Sequence, residues 1–63
     1  MTKTQQRDAA AARKAVALGM PDLAARTLSA AHRAAMRQAD KRELEALARD
    51  LGVTSQRDWV ICG

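Results

Sequence analysis

A small all-α bundle is the fold this sequence predicts, and three observations predict it. Ala supplies 15 of the 63 residues and is the best helix former. Apolar residues recur at i, i+3, i+4 and i+7 through much of the chain. Gly and Pro stand only where they would punctuate such segments, at Gly19, Pro21, Gly52 and the last residue, Gly63. The 63 residues make one domain, residues 1–63.

Residues 1–20 read as the first helix. Thr2 or Thr4 can cap its start, with Gln5 and Gln6 following. Asp8 to Leu18 is Ala-dominated, and Gly19 supplies the stop. Val16 and Leu18 are its only large apolar groups, so this helix has a weak face of its own. Gly19-Met20-Pro21-Asp22 is a turn. Pro21 suits the first helical position, and Asp22 complements the positive end of the helix dipole. So short a link makes helices one and two an antiparallel hairpin.

From Pro21 to Leu51 no Gly or Pro intervenes, yet the hydrophobic phase changes. Ala24, Leu28, Ala31, Ala35 and Ala39 form one stripe; Leu44, Leu47, Ala48 and Leu51 form another. At about 100° per residue, Leu28 to Leu51 advances ~140° beyond whole turns. A straight helix could not turn both stripes into one core. Asp40 with Glu43 resembles an acidic capping box, which places the break near Ala39–Asp40 and a third helix over Lys41–Leu51. In that helix Glu45 and Arg49 are spaced for an i,i+4 ion pair, and Gly52 ends it. Beyond Gly52, Thr54 or Ser55 could cap a short helix or turn that folds Trp59 back over the leucines.

The core is thin. Besides Ala, the chain offers six Leu, three Val, Ile61, three Met and Trp59. Burial gains scale with apolar area at ~25 cal/mol per Å², so Ala contributes little. Two outcomes fit such a core: self-association or a partner completes it, or the Ala-rich helices pack at close range and need few large side chains; the first is the more common, which makes a homodimer the expected state. The small residues Ala24, Ala31 and Ala35 could form an intrachain hairpin seam or a dimer seam. The net charge of +4 favours anionic partners. A single Cys, Cys62, excludes an internal disulfide and fits a reducing compartment. No apolar run approaches the ~20 residues needed to span a bilayer. A cytoplasmic location is the default.

Catalysis is not expected. One His (His32) and one Cys cannot build a metal site within one chain. There is no Gly-rich phosphate loop and no Ser–His–acid set at a recognisable spacing. No cofactor is implied.

Two surfaces carry the functional expectations. Arg26, Arg33 and Arg37 fall within ~40° of one another on a continuous helix, opposite the Ala stripe. With Arg7, Arg13 and Lys14 they could form a basic face for an acidic protein partner, as in an adaptor, inhibitor or assembly factor, or for the phosphates of nucleic acid, as in a small DNA-binding transcriptional regulator. The second surface is Leu44 to Ser55, which resembles the first helix and turn of a helix-turn-helix unit, with Ala48 allowing close approach and Gly52 opening the turn. The resemblance implies a recognition helix within 44–61, contacting DNA through Thr54, Ser55, Gln56 and Arg57. Asp58 stands where that motif carries an apolar residue. The charge also sits in the other half, +5 over residues 1–37 and −1 over 38–63. Trp59, the only aromatic, is either the centre of a small core or a docking anchor.

Overall fold

The computed structural model describes residues 1–61. Three helices follow one another: α1 (Lys3–Ala17), α2 (Pro21–Ala34) and α3 (Gln38–Leu51). Among the described residues there is no strand. The all-α bundle is as expected.

α1 begins in a complete capping box. The Thr2 hydroxyl accepts from the Gln5 amide at 3.2 Å, and the Thr2 amide donates to Gln5 Oε1 at 2.9 Å. Two of the orphan amide groups at a helix start are thereby satisfied. α1 and α3 end alike. Gly19 and Gly52 sit at φ of 77° and 72°, in the left-handed region. Gly19 N–H donates to Val16 C=O and Met20 N–H to Ala15 C=O; Gly52 N–H donates to Arg49 C=O and Val53 N–H to Ala48 C=O. These paired bonds are the Schellman motif, which uses the last carbonyls that the helix leaves free. Pro21 opens α2 with Asp22 beside it.

The α1–α2 hairpin is the largest interface of the molecule, followed by α2–α3 and then α1–α3. Ala9, Ala12 and Ala15 of α1 are buried with Ala24, Ala25, Leu28 and Ala31 of α2. Small side chains on both helices let the axes approach closely. Leu44, Leu47 and Ala48 of α3, with Val53 beyond it, close the core. Eight of its twelve buried apolar residues are Ala. Within one chain, small residues thus pack at close range to form the core. The Ala24–Ala31–Ala35 seam is spent within the chain.

The chain does break between the two hydrophobic stripes, four residues earlier than the sequence implied. α2 stops at Ala34, Ala35 is extended at ψ 134°, and α3 starts at Gln38. Ala35 stays buried, whereas Ala39, expected on the same stripe, is exposed because the helical phase restarts before it. Asp40 is no cap. It lies in the first turn of α3, buried, 3.4 Å from the Met1 α-amine, which also approaches Glu43 at 3.5 Å. Because α3 already starts at Gln38 with Arg37 as its N-cap, Asp40 falls inside the first turn, past the position a capping side chain must occupy. Glu45 makes no ion pair with Arg49; its carboxylate faces His32 across the α2–α3 seam at 3.4 Å.

After Val53 the chain makes turns over 54–58, with no fourth helix among the described residues. The tail is anchored on α2. Ser29, fully buried, donates to Asp58 C=O at 3.2 Å and accepts from Val60 N–H at 3.3 Å. Trp59 stands edge-on to His32 with ring centroids 6.4 Å apart. It does fold back onto the core, but over the α2–α3 seam rather than along the leucines alone.

Candidate partner-binding surface

The expected basic face is taken apart by the break in the chain. Arg26, Arg33 and Arg37 share one stripe only if α2 continues to residue 37. It ends at Ala34, so Arg37 precedes α3 on an extended backbone and leaves the phase of Arg33. Arg26 is partly neutralised, lying 3.7 Å from Asp22 and 3.6 Å from Asp58. The antiparallel hairpin separates the rest. Arg13 and Lys14 are near the α1–α2 turn, while Arg33 and Arg37 are at the far end of α2. All five are exposed. Among the described residues, Arg13, Lys14, Arg33 and Arg37 form no ion pair.

At the corner where α2 passes into α3 lies a groove of about 360 Å³. Ala31, Ala34 and Met36 give it apolar walls, Thr2, Thr4 and Gln5 border it, and Asp8, Arg37 and Asp40 bring charge to it. Met36 is 95% exposed, the most exposed large apolar side chain described. The sequence reading passed over Met36 and this groove, because both depend on a break at 35–37. The signal was Met36 itself, a long apolar side chain among Ala and Arg with no place on either stripe. Ser29 was also passed over. Its hydroxyl is what fixes the tail, and nothing in a lone Ser on an Ala-rich helix marks that role.

The helix-turn-helix reading of 44–61 lacks its second helix. Thr54, Ser55 and Arg57 are exposed on turns, and Gln56 is half-buried. The Schellman closure buries Val53 completely, and Asp58 is turned toward Arg26 instead of extending a helix. Trp59 is half-buried and lines a smaller cleft of about 180 Å³ with Glu45, Arg49, Thr54 and Ile61. Cys62 lies outside the described residues. Among those described, no three His, Cys, Asp or Glu side chains converge as a metal site would require. Among the described residues, no helix is long and apolar enough to cross a membrane.

Comparison with protein-family models, with curated proteins and with solved structures finds no match to this chain.

Proposed function

We propose that this chain is a small non-catalytic regulator or adaptor of the cytoplasm that binds an acidic protein partner through exposed cations of its helical hairpin. One observation carries the reading: Arg13, Lys14, Arg33 and Arg37 face solvent with no ion pair among the described residues. Unpaired surface guanidinium groups favour carboxylate-rich partners, which they grip with two parallel hydrogen bonds. Met36 beside Arg37 adds an apolar anchor, the combination typical of protein interfaces. Duplex DNA is the weaker reading. Its recognition element is absent from 54–58, and the cations are divided between two ends of the hairpin instead of tracking a phosphate backbone.

The test is capture of partners from the native host by wild type and by Arg33→Ala with Arg37→Ala. The double variant should keep its helix content and lose the captured protein. Equal capture by both would discard the basic-face reading. A parallel titration with duplex DNA separates the alternative: binding that collapses steeply with salt would favour nucleic acid.

A further inference from the structure

His32, the only histidine of the chain, stands where α2, α3 and the tail after α3 meet. Its Nε2 is buried, and among the described residues no hydrogen bond reaches it. Glu45 Oε2 of α3 lies 3.4 Å from that nitrogen, without the alignment of a hydrogen bond. Trp59 of the tail packs edge-on against the same ring. A buried polar atom without a partner is costly, and this one lies beside a carboxylate able to satisfy it. Glu45 has no other ion pair among the described residues. The charged groups nearby do not compete for the ring. Lys41 and Arg49 stand one turn to either side of Glu45 on α3, Arg33 is exposed on α2, and on the tail Arg57 is exposed while Asp58 turns to Arg26. No ion pair joins His32 to α1.

We infer that protonation of His32 latches the tail, residues 54–61, onto the helices, and that loss of the proton loosens it. The neutral ring offers Glu45 only a dipole. The imidazolium offers a full charge across a seam partly shielded from water, where opposite charges attract more strongly than in solution. The protonated ring is therefore drawn to Glu45 and held beneath Trp59. The neutral ring keeps a poorly satisfied buried nitrogen. Turning that nitrogen toward water relieves the cost, but it withdraws the surface on which Trp59 rests. The two bonds at Ser29 are then left to hold the tail. The sign follows from the pair. The latch is closed where Glu45 is ionised and His32 protonated, above the ordinary carboxylate range and below the ordinary imidazole range. It opens as pH rises through the imidazole range. Opening also uncovers the small cleft that Glu45, Arg49 and Trp59 line. The device uses none of Arg13, Lys14, Arg33 and Arg37, so it stands apart from the acidic-partner reading.

The experiment titrates the full chain from about pH 5.5 to about pH 8.5, across the imidazole range. Two readouts follow the tail. One is the emission maximum of Trp59, the only aromatic of the chain. The other is the protection factor of the Val60 amide, which donates to Ser29 in the latched state. Wild type should show one step on raising the pH, with Trp59 emission moving to the red and Val60 protection falling about tenfold, the weight of one hydrogen bond to a charged group. Helix content by circular dichroism should stay constant throughout. His32→Gln should show no step, and Glu45→Gln should lose most of it. Glu45→Gln removes a charge at nearly constant shape, so it decides the matter even where His32→Gln disturbs folding. Three results would each overturn the inference: a wild type in which both readouts stay flat, a full step that survives in either variant, or a step accompanied by loss of helix, which is global unfolding and not release of the tail.

Discussion

At the scale of single residues, the fold depends on a few positions that no neighbour could replace. Gly52 occupies the left-handed region, and a Cβ built there would meet nothing within 4 Å. Its requirement is therefore one of backbone conformation and not of space. Gly52→Ala should destabilise the protein by about 1–2 kcal/mol, the strain of placing an L side chain at that φ, and Gly52→Asn should recover part of the loss. Urea denaturation midpoints measure both, and an unmoved midpoint for the Ala variant would show that the left-handed turn is not needed. Ser29 has a different role. Its hydroxyl both donates to Asp58 C=O and accepts from Val60 N–H, so one buried oxygen holds two points of the tail. Ser29→Ala should cost about 1 kcal/mol, the net value of an ordinary hydrogen bond, since the partly exposed tail groups can turn to water. The sharper readout is Trp59, the only aromatic of the chain. Its fluorescence should shift to the red as the tail loosens from α2, and an unshifted spectrum would mean that the tail is held by other contacts.

At the scale of helices, the governing contrast is between the two kinds of packing. The α1–α2 seam is built from Ala12, Ala24 and Ala25, none with measurable exposure. The α3 side relies on Leu44, equally buried. Enlarging the first and shrinking the second should both destabilise, for opposite reasons. Ala12→Leu forces axes apart and should cost ~1–3 kcal/mol. Leu44→Ala leaves a cavity and should cost ~2–5 kcal/mol. Leu18→Ala, at an exposed position, should fall within ~0.5 kcal/mol of wild type. Thermal melts rank the three, and a tolerant Ala12→Leu would refute close packing of the hairpin. This level was largely legible in the sequence. Thr2 with Gln5, Gly19, Pro21 and Gly52 act through local bonds, and local bonds are written in adjacent residues. The stripes of Leu28 and of Leu44 demanded a break for the same periodic reason. Its position at 35–37 was not legible, because no breaker residue marks it. Ala35 ends α2 so that α3 can bring Leu44 inward and Asp40 to the Met1 amine, contacts made between segments far apart in the chain. The candidate surface shared that fate. Arg33 and Arg37 could be aligned on paper only while one helix was assumed to carry both.

For the molecule as a whole, the question is whether one chain suffices. The radius of gyration is 10.2 Å, against about 10.6 Å for a compact domain of this length. The polypeptide is therefore closed on itself, with the alanine ridge and the leucines enclosing one interior. Eight alanines in a core of twelve make that interior thin but continuous. A thin core invites the view that folding waits on a second copy, so folding and assembly have to be told apart. The two differ in how stability responds to concentration. A fold that needs a partner melts higher as it is concentrated, by mass action, and has no folded monomer when the contact is removed. A fold complete in one chain melts at a temperature independent of concentration. Leu18 and Met20 project from the turn and stand outside the buried cluster, so replacing both with Glu removes exposed apolar surface and not the core. The doubly substituted protein should unfold in one cooperative step whose midpoint stays fixed from micromolar to millimolar concentration. Wild type should behave the same way over that range. Scanning calorimetry across the series decides the matter. A substituted chain that is unfolded when dilute would mean that the alanine-rich interior holds only when a neighbouring copy covers the turn.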